Sequence, residues 1–424
     1  MKKMMLATIL ALAMVALAAC DDEEVIEEGL TSQHFLEDLD YMLYVLENNL
    51  SLFDVAYWAR GVDIHALAEG VRADILADPD IHVDDFYNIL LRNFNPLNGF
   101  AHFSIIDPAV HRGFVEHHAL QQHLRWASGN WRLLYPHVLA FYEPRHPEGE
   151  IPYAGMGNVV EIGPNVITEI IEEGKVAYLS VSSFFVSGEH LAYEEEKIHS
   201  FFKEIRDYEH LILDFRRNGG GFGGYFIDLI MGPNIETNLR IGGYGFLRHG
   251  TYVAEAIHSP NISIIFPNRM IHLDNQLRPI AEMLDEFDMP DLNMNDTERL
   301  EYGFRIQQSV SARRLTRFDS QPAFGGQIWM LTSPQMGSAS QLAAWIAKET
   351  EFAILVGDIT GGVFGGPSTI VALPNTGISF IMDVLYITDS RGRPLEAGTI
   401  PHYFNREGMD ALETVLEMIA EGGY

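Results

Sequence analysis

Apolar residues recur at helical spacing through the first hundred positions. Leu36, Leu39, Leu43, Leu46 and Leu50 fall three or four apart, which puts them on one face of a helix. A second helix is predicted to begin near Asp63, whose side chain suits an N-cap, with Ile64, Leu67, Val71 and Ile75 inward. A third starts at about Asp80 and buries Val83, Phe86, Leu90 and Phe94. It should stop before Pro96, which cannot continue a helical hydrogen-bond ladder. Residues 31–104 are therefore expected to form a small helical bundle. Residues 105–170 hold no clean period and read as a mixed connecting region.

From Lys175 onward the pattern changes. Short apolar runs at 176–181, 211–215, 328–331, 353–356, 370–373 and 379–384 have strand length. Helical stretches near 193–207, 225–231 and 342–349 alternate with them. Such alternation predicts an α/β core over 171–424. Within it, 235–325 is crowded with Pro, Asn and Arg and reads as an insertion with little regular structure.

Two segments carry candidate chemistry. One predicted strand, 211–215, ends in a polar turn with Asn218 and then Gly219, Gly220 and Gly221. Lacking Cβ atoms, such glycines bring backbone N–H groups close to a ligand. The other is Gly337-Ser338-Ala339-Ser340-Gln341, between a predicted strand and a predicted helix. A serine there either caps the helix or sits where the first helical amides stabilise negative charge. The local pattern leaves both readings open.

Composition narrows the classes. With 424 residues, 47% of them hydrophobic, the chain can bury two cores. The formal charge of −31 becomes −33 without Lys2 and Lys3, which disfavours nucleic acid and anionic membrane surfaces as partners. Cys20 is the one cysteine, so internal disulfides, a thiol nucleophile and a cysteine-built zinc site are excluded. His111, His117, His118, His123, His137 and His146 lie close in sequence but lack an HExxH-like spacing. No metal and no organic cofactor is expected.

The N-terminus reads as an export signal. Lys2 and Lys3 precede an apolar run at 4–16 that is short for a membrane span. Leu17-Ala18-Ala19-Cys20 looks like a bacterial lipobox. Residues 1–19 would then be a leader, Cys20 the lipidated residue, and 20–30 an acidic tether. The expected location is the cell envelope, outside the cytoplasm and anchored to a membrane.

Four elements, taken in order, resemble the C-terminal-processing (tail-specific) and tricorn-type serine protease family. They are Asp214-Phe215-Arg216-Arg217-Asn218-Gly219-Gly220-Gly221; Gly337-Ser338-Ala339-Ser340 after a strand; Val356-Gly357-Asp358-Ile359-Thr360-Gly361-Gly362; and Gly392 to Pro401, followed by His402 where the family usually has Asp. The resemblance implies a ClpP/crotonase-like α/β core preceded by a helical bundle. It makes Ser338 the implied nucleophile. The N–H of Ala339 and that of Gly219 or Gly220 form the implied oxyanion hole, each donor contributing about 3 kcal/mol to transition-state stabilisation.

One branch of the family uses a Lys twenty-five residues after the nucleophile; Val363 stands there, and Lys348 reads as a surface residue. The tricorn-type branch uses His and Glu. The stretch from Leu97 to Ser104 is similar to its histidine segment, which makes His102 the implied base and Glu396 the implied acid. This sequence departs from that branch at Asn98 to Ala101 and at Gln341, where a Glu is usual. The implied activity is cofactor-free peptide-bond hydrolysis through a serine acyl-enzyme, acting on a peptide or protein. The alternative is a peptide-binding lipoprotein that keeps the fold without cutting. A thioester-acting crotonase-type enzyme fits less well, because it needs no Ser-Ala-Ser junction. No PDZ-type carboxylate loop is found.

Overall fold

Among the described residues the three expected helices form at Ser32–Asn49, Ile64–Ala77 and Val83–Phe94, with a short unpredicted helix at Val55–Arg60. The second is capped as expected, Asp63 accepting the Ala66 N–H at 3.1 Å. The third stops at Phe94, and Pro96 sits in a single 3-10 turn. The first helix buries Phe35, Leu39, Met42 and Leu46. Leu36 and Leu43 flank that stripe, because Phe35 and Met42 complete a better 3.6-residue repeat. The computed structural model describes residues 29–116, 127–149, 164–186, 188–257, 277–315, 322–364 and 366–422. The expected leader, Cys20, most of the tether, His117, His118 and His123 lie outside the described residues. Among those described, no helix is long and apolar enough to cross a membrane.

The strands, in chain order, are β1 (Ser104–Ile105), β2 (Ala127–Ser128), β3 (Val166–Glu172), β4 (Val176–Val181), β5 (His210–Asp214), β6 (Leu239–Leu247) and β7 (Arg278–Pro279). They continue with β8 (Tyr302–Val310), β9 (Gln327–Thr332), β10 (Ile354–Gly357), β11 (Ser368–Ala372), β12 (Ser379–Asp383), β13 (Tyr386–Thr388) and β14 (Tyr403–Phe404). A six-stranded sheet has the order β14-β10-β9-β5-β4-β3. It is parallel except for β3, which runs antiparallel to β4. Its central strands are covered on both faces, which explains their unbroken apolar runs. Leu211, Leu213, Ile328 and Met330 face the helices Gly188–Glu204 and Ala339–Glu349. Ile212, Trp329, Leu331 and Val356 point the other way, onto Val415 and Met418 of the last helix.

Among the described residues there are also two four-stranded sheets, ordered β1-β12-β11-β2 and β13-β6-β8-β7. The first joins the N-terminal helices in one core: Phe94, Phe103 and Phe141 are buried with Ile370, Phe380 and Met382. The helical region therefore has no core of its own ending at residue 104. The stretch 235–325, expected to be irregular, contains β6 and β8, paired in an antiparallel ladder from Leu239↔Val310 to Leu247↔Tyr302. Its glycines obscured the alternation: Gly243 and Gly245 in β6 stand where a Cβ would strike the Thr388 carbonyl and the Phe304 ring.

Candidate active site

Adjacent parallel strands β5 and β9 end together, Asp214 opposite Leu331. The loops leaving their C-terminal ends carry the two segments singled out in the sequence, at the edge where α/β sheets commonly bind ligands. After β5 comes Gly219–Gly221; after β9 comes Ser338. Ser338 has φ 54 and ψ −121 and immediately precedes the helix Ala339–Glu349. Its N–H donates to the Gly362 carbonyl at 3.0 Å. Its side chain makes no capping bond. Ser340 does not cap either; its hydroxyl bonds the carbonyls of Asn218 (2.5 Å) and Gly337 (2.9 Å), tying the glycine loop to the serine turn.

The histidine arrives from the other side. Gly99 (φ 85), Ala101 (φ 48) and His102 (φ 50) form a tight left-handed turn ahead of β1. In the β1–β12 ladder Ser104 pairs with Ile381 and Ile105 with Phe380. Two residues further back on the same register, His102 meets Asp383. His102 Nδ1 is 2.7 Å from Asp383 Oδ2, and His102 Nε2 is 3.1 Å from Ser338 Oγ. Asp383 is fully buried and also accepts the Ser368 hydroxyl from β11. A carboxylate on Nδ1 fixes the ring proton there and leaves Nε2 to accept the Ser338 proton. Burial alone would push the His102 imidazole down. The Asp383 charge and hydrogen bond, with the Glu396 charge added, outweigh it and hold it above its usual 6.5.

Glu396 is not where the resemblance put it. Its carboxylate accepts the backbone N–H groups of Ala101 (2.9 Å) and Phe364 (2.6 Å), while Asp383 holds the imidazole. Burial raises its carboxyl to about 7. Glu396 thus braces the turn that presents His102 against the loop after β10, whose Gly362 carbonyl accepts the Ser338 N–H. Four of the five non-glycine residues with positive φ among those described, Ala101, His102, Ser338 and Val363, lie in these segments. Backbone strain of this kind persists only where surrounding bonds impose it.

The glycine loop resolves the two candidate donors. The Gly220 N–H is taken by Asn218 Oδ1 at 2.8 Å, so Gly220 is withdrawn as an oxyanion donor. Gly220 instead allows close approach: a Cβ there would sit 2.8 Å from Ser338 Cβ and 3.0 Å from Ala339 N. Of the amides the resemblance implied as donors, those of Ala339 and Gly219 remain. Val363, in the position of a dyad lysine, packs next to Gly337. Lys348 is half-buried rather than exposed, its Nζ on the Ile400 carbonyl at 2.8 Å. Gln341 is fully buried, bonding the Leu395 carbonyl, Thr399 and Thr360. It locks the closing segment around Glu396 to the helix behind Ser338.

Sequence reasoning missed Asp383 and Ser368, and it gave Asn218 no role. Asp383 left one signal, an acid that follows the apolar run Phe380 to Met382 of β12.

Fold and site together place the chain among α/β proteins that align a serine, an imidazole and a carboxylate beside a glycine loop. Sequence comparison narrows that class. The model of Peptidase family S41 matches residues 175–404, more than half of the chain, and the chain belongs to that family. His102 lies outside the matched stretch and reaches the site only through the β1–β12 pairing. No curated protein sequence matches the chain. Among solved structures, a candidate peptidase from Parabacteroides merdae aligns with a TM-score of 0.52 at 16% identity, covering 93% of this chain and 96% of that one. Mature CPAF complexed with lactacystin aligns with a TM-score of 0.50 at 15% identity, over 92% and 97%. At these identities the likeness establishes a shared fold.

Proposed function

We propose that this S41 peptidase is a serine-type endopeptidase working through an acyl-enzyme on Ser338. Ser338 Oγ attacks the peptide carbonyl as its proton passes to His102 Nε2. A C–O bond forms, and the carbonyl oxygen becomes an oxyanion held by the N–H groups of Ala339 and Gly219. The intermediate collapses with cleavage of the C–N bond, and His102 returns the proton to the leaving amine. Water, deprotonated by His102, then attacks the ester and frees Ser338. Asp383 orients His102 and stabilises its protonated form. The observation that carries this reading is the continuous line from Ser338 Oγ through the imidazole to Asp383. Incubation with unfolded casein should release new N-termini with wild type and none with Ser338→Ala. Equal release by the variant would contradict it.

The same proposal includes address. The lipobox-like Leu17-Ala18-Ala19-Cys20 and the acidic stretch behind it support export and lipid anchoring at Cys20, with the peptidase facing peptides outside the cytoplasm. In a bacterial host fed an alkynyl fatty acid, wild type should incorporate label and Cys20→Ala should not. Undiminished label in the variant would contradict the anchor.

A further inference from the structure

Beyond its amide donors, the glycine loop carries an aromatic side chain. Phe222 follows Gly221 directly, and it remains 43% exposed. Its ring lies nearly parallel to that of Phe185, with centroids 5.2 Å and planes 17° apart. The backbone holds the pair in place. The Phe222 N–H donates to the Phe184 carbonyl at 3.0 Å, and the Phe184 N–H to the Gly220 carbonyl at 2.9 Å. The Phe185 N–H donates to Ser183 Oγ at 3.0 Å. Gly221 has φ 134, and a Cβ there would strike Phe185 N at 2.2 Å, so the two segments are pressed together. Next along, Gly223 packs on Leu342 of the helix that begins after Ser338.

This surface continues the loop that passes the serine. Gly220 lies against Ser338 Cβ, and Phe222 is two residues on, roughly 7 Å of chain. Which part of a substrate meets it follows from the chemistry. His102 must pass its proton to the leaving nitrogen, so the leaving side of the peptide lies toward the imidazole. The acyl side lies across Ser338 Oγ, with its carbonyl oxygen on Ala339 and Gly219. The residue owning that carbonyl therefore passes beside the continuation of the same loop. A pair of stacked rings offers an apolar side chain both buried area and ring contacts.

We infer that Phe222, backed by Phe185, walls an apolar subsite that takes a large aliphatic or aromatic side chain on the acyl side of the scissile bond. The inference rests on Ser338 being the nucleophile. It is tested with peptidyl diphenyl phosphonates that differ only at the residue next to phosphorus: Phe, Leu, Ala, Asp or Lys. The readout is the ratio of inactivation rates measured on one sample, which cancels any loss of folded protein. Phe and Leu probes should react about tenfold faster than Ala and Asp probes. In Phe222→Ala the Phe-to-Ala ratio should fall toward one, and Phe222→Leu should keep most of it. An unchanged ratio in Phe222→Ala, or a Lys probe that reacts fastest through cation–π contact with the rings, overturns the subsite. An alkyl fluorophosphonate without a side chain separates the two levels. Labelling by it without discrimination among the peptidyl probes contradicts the subsite alone; no labelling by any probe contradicts the serine reading and the subsite with it.

Discussion

His102 and Asp383 stand opposite each other across the β1–β12 ladder, Nδ1 2.7 Å from Oδ2, although 281 positions separate them in the chain. The contact is set by backbone register rather than by a flexible side chain reaching over. Asp383→Asn keeps the shape but loses the charge, and its amide can hold the wrong tautomer. The turnover number should fall by about 10³- to 10⁴-fold with little change in KM. Steady-state kinetics on a fluorogenic peptide measure this; a loss below tenfold would contradict Asp383 as the orienting group.

The same pair sets the acid limb of the pH profile. A general base works neutral, and Asp383 holds the His102 imidazole above 6.5 against the opposing effect of burial. In wild type kcat/KM should therefore fall off with decreasing pH around a midpoint above 6.5. Removing the charge in Asp383→Asn should move that midpoint to lower pH even as the rate drops. A midpoint that stays put would separate His102 from Asp383.

Glu396 makes a stability prediction of definite sign. Its carboxyl rises from 4.5 to about 7 on folding, chiefly by burial. The folded chain then binds this proton more tightly than the unfolded chain. The contribution is full below pH 4.5 and is lost as pH climbs through 7. Relative to Glu396→Gln, which cannot titrate, wild type should lose on the order of 3 kcal/mol between pH 4.5 and 8. Denaturant titrations of both proteins at several pH values test it; a pH-independent difference would refute it.

Gly220 tests the close approach of the two loops. With φ 114 and a Cβ position 2.8 Å from both the Gly337 carbonyl and Ser338 Cβ, Gly220→Ala must push the loop away from the serine. Labelling of Ser338 by a fluorophosphonate should slow by at least about a hundredfold, the scale expected when an oxyanion donor is displaced. A labelling rate within threefold of wild type would mean the loop does not form the oxyanion hole.

Much of this arrangement was legible in the chain. The helices at 32–94 followed from leucine and phenylalanine spacing and from Asp63. The strands flanking Ser338 followed from apolar runs buried on both faces. His102 emerged from a resemblance spanning few residues. What stayed hidden depended on pairing between distant segments. Asp383 became a partner only once β12 was laid against β1, and no local pattern specifies that register. Glu396 looked like the acid because its motif is intact, yet its oxygens are spent on two backbone amides. The choice between Gly219 and Gly220 turned on where the Asn218 side chain points.

The most direct measurement is the rate and position of covalent labelling by an alkyl fluorophosphonate, read by peptide mass spectrometry for wild type and His102→Ala. Proton removal by His102 predicts a single adduct on Ser338 in wild type and a rate lower by at least about 10³-fold in the variant. An adduct on another residue, or a variant that labels Ser338 as fast as wild type, would contradict it.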